Sequence, residues 1–408
     1  ETIGLAYKLV GETLRRKNTV DKLLFTIIPS NLFQSLKIGV QSFIRLFVYT
    51  TKFSTLRNIN AAIDLLQIGR EILGWHDFHS AESFFGRIIT FDINNIYDGL
   101  SDDEKIALET FHPIWFVRYC FELFGRQEAL EMLNKNGEGP SFFIRVNTLK
   151  GDEAIIVKQL ESEGIKLEKD PDLACLYRVL STLIPLIRTE TYRKGLFSVQ
   201  DKASCLAVEL SGVEKDAVVL DFCAAPGLKT THMAQLMSDK GKIFAIDISL
   251  FGIRALKKEI KRAGVTVVDI LFADASHPIP LAFEADIVVV DPPSTNTGIF
   301  RNDPSKKWRV KLEDIQKYAK IQELILNEAA KHAKVEGVLL YMSSSITLEE
   351  NELLIKRFLS LNHDYKLEEM SHIGSSGLLG MNECRRLYPH VHDSNGSFIA
   401  KLRRINPE

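Results

Sequence analysis

The chain has 408 residues, of which 45% are hydrophobic and 25% charged, values typical of a globular protein with two or three domains. Its formal net charge of −2 excludes a uniformly basic nucleic-acid binder. No run approaches the roughly 18 uninterrupted apolar residues of a membrane helix, and no signal-peptide layout is present at the start. Five cysteines without a C-x-x-C pair predict neither a disulfide framework nor a zinc site. We therefore expect a cytoplasmic monomer with no metal and no membrane partner.

Residues 1–105 are predicted to form a helical bundle. Apolar residues recur at helical spacing from Leu23 to Val48 and again over 61–73. The first 60 residues carry nine lysines and arginines against three acidic residues, a net charge of +6. A basic face of this kind suits a phosphate backbone, although an ordinary solvated helical surface accounts for the same charge. The basic residues are Lys8, Arg15, Arg16, Lys17, Lys22, Lys37, Arg45, Lys52 and Arg57.

A helical linker, 106–137, and a small α/β module, 138–195, are predicted next. Residues 134–140 have the composition of a loop, and the stretch from Ser141 to Asn147 has that of a strand. A helix over 152–164 and short strands and turns over 166–195 complete the module.

Strand and helix patterns alternate over the last predicted domain, 196–408. This alternation predicts a doubly wound, mostly parallel sheet, with helices between the first five strands. The last two strands have no helical pattern between them and are expected to form an antiparallel edge. Ligands of such sheets bind beyond the carboxyl ends of the strands. The predicted strands are 217–221, 242–247, 267–272, 286–291, 337–343, 365–370 and 397–402.

The carboxyl ends of the first four predicted strands each carry an aspartate. Residues 221–229, D-F-C-A-A-P-G-L-K, indicate a strand, a loop and a helix, which brings bare backbone and a helix N-terminus towards a ligand, although such a loop also occurs for packing reasons alone. Asp247 is at the position where an acid commonly accepts hydrogen bonds from ribose hydroxyls. Asp274 and Asp291 follow the next two strands. Since the loop lacks both G-x-G-x-x-G spacing and a Walker lysine–serine pair, a nucleoside without a pyrophosphate is favoured, and S-adenosylmethionine is the obvious one.

Several motifs in combination resemble the RNA (cytosine-5) methyltransferases of the Sun/Nol1/Nop2 family, especially its RsmB-like members with a NusB-like helical domain. The resemblance implies a multi-domain protein: a NusB-like all-α bundle, a small α/β RNA-recognition module and a Rossmann-like class I methyltransferase domain. The motifs are H-P-I-W (112–115), R-V-N (145–147), G-L-F-S-V-Q-D-K-A-S (195–204), D-F-C-A-A-P-G-L-K-T (221–230), D-P-P-S-T-N-T-G (291–298), N-D-P-S-K-K-W-R (302–309), Y-M-S-S-S-I (341–346) and P-H-V-H-D-S-N-G-S-F-I-A (389–400).

The resemblance also implies roles around the cofactor S-adenosyl-L-methionine. Asp247 would bind the ribose hydroxyls and Asp274 the adenine. Asp291 would lie beside the methyl group and the target base, with Lys229 as its partner. The methionine end would be wrapped by Cys223, Ala224, Ala225, Pro226, Gly227, Leu228 and Lys229.

RNA, ribosomal or transfer, is the implied partner. The small module, the basic first 60 residues and the segment 301–309 would hold it. That segment combines four cations with an aromatic ring able to stack on an unpaired base, although a solvated turn with a packed tryptophan has the same composition. The residues expected to contact RNA are Arg145, Arg301, Lys306, Lys307, Trp308 and Arg309.

Both cysteine positions of the family are serine in this chain. The family makes cytosine C5 reactive by adding a thiolate to C6, and the matching position is Ser344; the cysteine that assists release matches Ser294. A free thiol is a few per cent ionised at neutral pH, whereas a serine hydroxyl needs an adjacent base. No motif supplies one, although His390 and His392 are possible neighbours. Leu228 also departs from the family, where a second glycine is common.

Three explanations of the serines stay open: an inactive or differently acting natural relative, deliberate Cys→Ser changes, or Ser344 as nucleophile with an unseen base. The leading hypothesis is a cytosine-5 type RNA methyltransferase whose activity the serines put in question. The alternative is a catalytically inactive relative that binds RNA and cofactor, for example in ribosome assembly. A methyltransferase for a small molecule or a protein is weaker, since the basic segments count against it.

Overall fold

The computed structural model describes residues 2–55 and 58–406, which divide into two compact units. The helical unit runs to Gly139 and includes Asp303–Arg309. The α/β unit comprises Pro140–Asn302 and the chain from Val310 onward. The predicted fold class, a helical part followed by a Rossmann-like α/β part, is confirmed. Glu1 and Arg57, both counted in the basic N-terminal stretch, lie outside the described residues.

The helical unit packs amphipathic helices around an apolar core. Its helices are α1 (Thr2–Arg15), α2 (Lys17–Ile27), α3 (Ser30–Ser35), α4 (Ile38–Lys52), α5 (Ile59–Leu73), α6 (Trp75–Phe78), α7 (Glu82–Thr90), α8 (Asp102–Glu109), α9 (Ile114–Phe124) and α10 (Arg126–Gly137). Phe47 of α4 packs edge-on against Phe85 of α7, with 4.9 Å between ring centroids. Gly69 of α5 faces the ring of Phe43, and a Cβ there would lie 2.5 Å from it. Aromatic rings thus fill the space between these helices.

A small antiparallel sheet begins the α/β unit, in the order β2–β3–β1–β4. Its strands and helices are β1 (Phe143–Val146), α11 (Glu153–Ser162), β2 (Ile165–Lys169), β3 (Leu176–Thr182), α12 (Glu190–Arg193) and β4 (Phe197–Val199). Because β4 pairs with β1, the small sheet extends past residue 195. The predicted boundary between 195 and 196 is therefore corrected: it separates a strand from its sheet.

The large sheet has the order β11–β12–β13–β9–β8–β5–β6–β7, with β10 also paired to β13. Strands β5 to β9 are parallel, and β13 is antiparallel to β9, which confirms the expected antiparallel edge. The elements are α13 (Lys202–Leu210), β5 (Val218–Phe222), α14 (Leu228–Leu236), β6 (Lys242–Asp247), α15 (Leu250–Ala263), β7 (Val268–Phe272), β8 (Ala285–Val290), α16 (Asp314–Ala330), β9 (Ala333–Ser343), α17 (Glu352–Leu361), β10 (Tyr365–Leu367), β11 (Ser375–Ser376), β12 (Arg385–Leu387), α18 (Pro389–His392) and β13 (Ser397–Arg404).

One predicted helix is absent. The chain between β7 and β8, residues 273–284, contains no helix. Pro278 and Pro280 explain the error, since each removes a backbone donor and clashes with a preceding helical turn. Strands β11 and β12 were not predicted; their two and three residues are too short to show a period.

Buried side chains cover both faces of the large sheet. Val219 and Val289 belong to one apolar cluster, and Leu220 and Val288 to the other. A parallel sheet covered on both sides leaves its carboxyl edge as the place where polar groups meet. Among residues 2–55 and 58–406, no helix combines the length and apolar character needed to cross a lipid bilayer.

Candidate active site

The loop between β5 and α14 bends sharply enough that two residues adopt positive φ. Cys223 has a φ of 63° and Gly227 one of 102°. A Cβ on Gly227 would lie 2.6 Å from Leu256 Cδ1, so a larger residue would have to displace that side chain. The strand, loop and helix predicted for 221–229 are all present, and helix α14 starts directly after the glycine.

Asp247 fixes the backbone at the carboxyl end of β6. Its Oδ2 accepts a hydrogen bond from Ala225 N at 3.0 Å, and its Oδ1 accepts one from Ser249 N at 2.8 Å. Each carboxylate oxygen has a second lone pair, so the group still has capacity to accept hydrogen bonds from a ligand. The residue thus joins the loop before α14 to the start of α15.

Asp274, beyond β7, is held by its own turn. It accepts hydrogen bonds from Ser276 N at 2.9 Å, from Ser276 Oγ at 2.6 Å and from His277 Nδ1 at 3.0 Å. The hydrogen bonds from Ser276, and then that from His277, hold the pKa of Asp274 below its usual value, because they favour the ionised form. The group is therefore an ionised acceptor at neutral pH.

Lys229 and Asp291 form an ion pair at the edge between β5 and β8. The lysine is buried, and its side-chain ammonium donates to Asp291 Oδ2. Burial alone would lower the pKa of Lys229, but the charge and hydrogen bond of Asp291 outweigh it and raise that pKa. The lysine therefore stays charged and holds the carboxylate of Asp291 in one position.

Asp221 is fully buried at the end of β5. Thr230 Oγ1 donates to its Oδ2 at 2.6 Å, whereas Oδ1 has no hydrogen-bond partner among the described residues. Burial raises the pKa of Asp221 to about 6, against the opposing effects of Thr230 and Lys229. The carboxyl group is thus destabilised in its ionised form at neutral pH.

These strand ends surround a cleft of about 520 Å³, a size within the range of small-molecule sites. Several predicted site residues line it together: Cys223, Ala225, Asp247, Asp274, Asp291, Ser294 and Ser344. The predicted residues Ala224, Pro226, Gly227, Leu228 and Lys229 lie outside the lining described here. Leu228 is the first residue of α14 and is not among the residues that line the cleft.

Apolar side chains complete the lining, and sequence reasoning missed them. Ile248, which follows Asp247, is 59% exposed, and Ile321 and Ile325 come from α16. Asn296 and Ser276 add amide and hydroxyl groups. The position of Ile248 directly after the strand-end acid was an available signal. The α16 residues gave none, since their spacing is that of any core helix.

Ser294 and Ser344, the two serines predicted to match the family's cysteines, have different surroundings. Ser294 is buried, and its Oγ accepts a hydrogen bond from Asn296 N at 3.2 Å. The Oγ of Ser344 makes no hydrogen bond within the described part of the chain, although its carbonyl accepts one from Gly298 N at 3.0 Å. No described side chain is therefore positioned to remove the proton of Ser344, the step that a serine nucleophile requires.

Glu350 joins the loops that carry these serines. It is fully buried, and within the described residues its carboxylate accepts five hydrogen bonds. Two come from Thr295 in the loop after β8: its backbone N donates at 2.8 Å, and its hydroxyl donates as well. Two come from the loop after β9, through Ser345 Oγ at 2.6 Å and Thr347 Oγ1 at 2.8 Å. The fifth is from Gln322 Nε2 of α16 at 2.9 Å. A single carboxylate thus fixes both loops to each other and to a helix.

Two predicted RNA contacts, Arg145 and Arg301, are corrected, because both side chains are buried. Arg145 donates to Gln200 Oε1 at 2.8 Å and to Gln235 Oε1, and burial lowers its pKa to about 10. Arg301 forms an ion pair with Asp393 at 2.6 Å. Both guanidinium groups stabilise the α/β unit and do not face solvent.

The segment 303–309 is part of the helical unit, and its central residues are packed there. Lys307 is fully buried and donates to Phe111 O at 3.0 Å, and burial lowers the pKa of this amine strongly. Trp308 Nε1 donates to Leu14 O at 2.6 Å. Lys307 is therefore corrected as an RNA contact, and the packed tryptophan of the alternative reading is present. Arg309 is exposed, and Lys306 is half-buried.

Most cations of the first 60 residues also have partners inside the helical unit. Arg15 is 98% buried and donates to Asn136 O at 3.1 Å. Lys17 and Arg45 share Asp21, at 2.8 and 2.7 Å. The remaining pairs are Arg16 with Glu12, Lys37 with Asp77, and Lys52 with the carbonyl groups of Ile89 and Phe91. A net charge of +6 therefore overstates the charge available to a phosphate backbone.

Two family models match the chain. The model of the 16S rRNA methyltransferase RsmB/F matches residues 207–403, which contain all the strand ends described above. The model of the RsmF/B-like ferredoxin-like domain matches residues 112–176. The chain belongs to the Sun/Nop2 family. The Sun/Nop2 proteins are S-adenosylmethionine-dependent RNA cytosine-5 methyltransferases, which fits the cleft and its carboxylates.

Two relatives and two solved structures show how similar the chain is to other proteins. The probable ribosomal RNA small subunit methyltransferase B of Bacillus subtilis is 29% identical, covering 98% of this chain and 90% of that protein. The tRNA (cytosine(72)-C(5))-methyltransferase of Pyrococcus horikoshii is 38% identical over 54% of this chain and 55% of that protein. The crystal structure of PH0851 superposes with a TM-score of 0.87 at 25% identity, covering 98% and 90% of the two chains. The structure of NSun6 from Pyrococcus horikoshii with SFG, an S-adenosylmethionine analogue, has a TM-score of 0.67 at 29% identity, covering 72% and 99%.

Replacing Asp221 by Asn is expected to stabilise the protein at high pH. The raised pKa of Asp221 means that its contribution to stability is complete below pH about 4 and is lost as the pH rises through about 6. A shift of two pKa units corresponds to about 3 kcal/mol, so D221N should gain up to that amount at pH 8 and nothing below pH 4. Urea unfolding across this pH range measures the difference. The exposed Asp269→Asn is the control, and equal pH profiles for the two variants would contradict the assignment.

Removing the Glu350 carboxylate is expected to destabilise the folded protein. Glu350→Ala leaves the backbone N–H of Thr295 and one of the two N–H groups of Gln322 Nε2 without an acceptor, at about 1–3 kcal/mol each, while the other amide N–H still donates to Pro293 O. We therefore expect E350A to lose roughly 2–6 kcal/mol of unfolding free energy. E350Q should lose far less, because an amide accepts from these two donors and donates to the rotatable hydroxyls. Denaturant unfolding measures both, with the exposed Glu313→Ala as control. An E350A protein as stable as the control would show that the network does not hold the loops.

Proposed function

We propose that this chain is an S-adenosylmethionine-dependent RNA methyltransferase that acts, as a cytoplasmic monomer, on cytosine C5 in ribosomal or transfer RNA. The observation that carries the proposal is one cleft lined by Asp247, Asp274 and Asp291, together with the two positions that match the family's cysteines, Ser294 and Ser344. Relatives named as ribosomal RNA and transfer RNA methyltransferases support the substrate class.

The cofactor would lie along the carboxyl ends of β5, β6 and β7. Asp247 would accept hydrogen bonds from the ribose hydroxyls with its remaining lone pairs, and Asp274 would accept one from the adenine amine. Ile248 presents an apolar surface beside them, on which a purine would pack. When bound, S-adenosylmethionine supplies a sulfonium methyl group as the electrophile.

The substrate base would lie between Asp291 and the two serines. The ion pair with Lys229 orients Asp291, so that its carboxylate would accept a hydrogen bond from an amine of a base. Ser344 would occupy the position from which the family adds to cytosine C6. Its hydroxyl has no adjacent base in the described residues, and Cys223, the thiol in the same lining, has its pKa raised by burial. Neither group is activated as a nucleophile.

This last observation favours a second candidate function, an RNA-binding and cofactor-binding protein that does not transfer methyl groups. Such a protein would bind through the carboxylates of the cleft without an activated nucleophile. Transfer of tritium from labelled S-adenosylmethionine to ribosomal or transfer RNA separates the two: incorporation excludes the second candidate. Binding of neither cofactor nor RNA, in calorimetry and filter binding, excludes both.

Restoring the thiols is expected to produce or greatly raise cytosine methylation. The double variant Ser344→Cys/Ser294→Cys supplies a nucleophile with a measurable thiolate fraction at neutral pH, which a hydroxyl lacks. Tritium incorporation into RNA, and sequencing of modified cytosines, measure the gain. The matched control is Ser345→Cys, which places a thiol one residue further along in the buried network of Glu350. No gain in the double variant would mean that more than the thiols is missing.

Asp247→Asn is expected to weaken cofactor binding by about 10- to 100-fold. A hydrogen bond to a charged group contributes about 1.5–3 kcal/mol, and the amide also places a donor against the backbone N–H groups that now bind the carboxylate. Calorimetric titration with S-adenosylmethionine measures the change. Asp269→Asn, on an exposed part of the next strand, should leave the affinity unaltered. Equal affinities for both variants would remove Asp247 from the cofactor site.

A further inference from the structure

The outer face of α15 carries a row of cations without partners. Arg254, Lys257, Lys258 and Lys261 are all exposed, at positions i, i+3, i+4 and i+7 of the helix. This spacing puts the four side chains on one face. Among the described residues, none of them forms an ion pair or a side-chain hydrogen bond. They span about 10 Å along the helix axis.

Arg262, a further cation near the end of α15, makes contacts within the α/β unit. It donates to Phe197 O at 2.7 Å and to Tyr192 O at 2.9 Å, and it stacks on the ring of Tyr192 at 4.1 Å. The apolar face of α15, with Ile253 and Leu256, is buried. The four cations of the row take no part in these packing contacts.

Neighbouring like charges on one helix face destabilise the helix by about 0.2–0.5 kcal/mol per pair. The row contains the i,i+3 pair Arg254 and Lys257, the i,i+4 pair Arg254 and Lys258, and corresponding pairs with Lys261. A bound polyanion would remove this repulsion and release its own counterions. The surface is therefore electrostatically complementary to a nucleic-acid backbone.

The row also lies near the candidate site and the small sheet. Helix α15 starts three residues after Asp247, whose carboxylate lines the cleft. The other end of α15 is followed by Gly264, which lies beside Lys150, an exposed residue of the small-sheet module. A Cβ added to Gly264 would lie 2.6 Å from the ammonium nitrogen of Lys150. The cations thus continue from the cleft edge of the sheet to the module expected to contact RNA.

We propose that Arg254, Lys257, Lys258 and Lys261, with Lys150 at the end of the row, bind the phosphate backbone of the RNA substrate. The proposal rests on the proposed function and specifies where that RNA lies. A membrane surface fits less well: an interfacial helix buries its apolar face in lipid, whereas that face of α15 is packed in the core. Only Leu250 and Phe251, in its first turn, are exposed apolar residues of this helix.

The test compares two variants of the full chain that lose the same charge. The first is R254Q/K257Q/K258Q/K261Q. The control is K215Q/K240Q/K320Q/K366Q, four exposed lysines scattered over the α/β unit. Filter binding to unfractionated transfer RNA and to small-subunit ribosomal RNA, over a series of salt concentrations, gives the affinity and its salt dependence. Calorimetry with S-adenosylmethionine shows whether each variant keeps its fold and cofactor site.

The α15 variant should bind RNA at least about tenfold more weakly near 0.1 M salt, and its salt slope should fall by about 3, with cofactor binding intact. The control should bind as the unaltered chain does. Equal RNA binding and equal slopes for the two variants would overturn the proposal while leaving the proposed function standing. Absence of RNA binding by the unaltered chain would overturn both. Binding of anionic phosphatidylserine vesicles, lost in the α15 variant while RNA binding is retained, would assign the row to a membrane instead.

Discussion

The buried carboxylate of Glu350 is the interaction on which the geometry of the site depends. Its five hydrogen bonds come from the loop after β8, the loop after β9 and helix α16. A buried carboxylate is tolerated only when its oxygens are satisfied, and here two backbone or amide donors and three hydroxyls do so. Because the donors lie on both loops and on a helix, neither loop can shift without breaking hydrogen bonds to this carboxylate. The spacing between Ser294 and Ser344 is thereby set by a residue that contacts neither the cleft nor a ligand.

Three carboxylates lie at the same edge of the sheet, and one of them forms an ion pair with Lys229. Asp221, Asp247 and Asp291 lie at the ends of three neighbouring strands. Lys229 forms an ion pair with Asp291, whose charge and hydrogen bond raise the pKa of the lysine. Asp247 is stabilised by backbone N–H groups, whereas Asp221 has one hydroxyl donor and a raised pKa. Fixed acceptors that are already oriented lose little entropy when a ligand donates to them. The edge is therefore built to receive hydrogen-bond donors and a positive charge.

The strand-end carboxylates could be predicted because parallel strands place their carboxyl ends at one edge, whatever the rest of the fold. The burial of individual cations could not be predicted from the sequence. Arg145 and Lys307 have the composition of nucleic-acid contacts, but their surroundings come from residues distant in sequence, such as Gln235 and Phe111. The donors to Glu350 likewise lie on three separate segments. The absence of a helix after β7 is a different case, because Pro278 and Pro280 in the sequence already argued against a helix there.

The small sheet and the cofactor fold are joined through buried polar contacts. Asn147 donates to Ala263 O and to Gly195 O, both at 2.9 Å, and Arg262 reaches three groups around β4. For domain exchange, this means that the small sheet is not a separable cassette: cutting the chain at its border would leave these donors without acceptors. New sequence is accommodated more readily at the exposed turn near Leu183, where the side chain is 81% exposed and no such contacts cross. An inserted segment is therefore expected to disturb the fold less at that turn than at the border, where it would break these contacts.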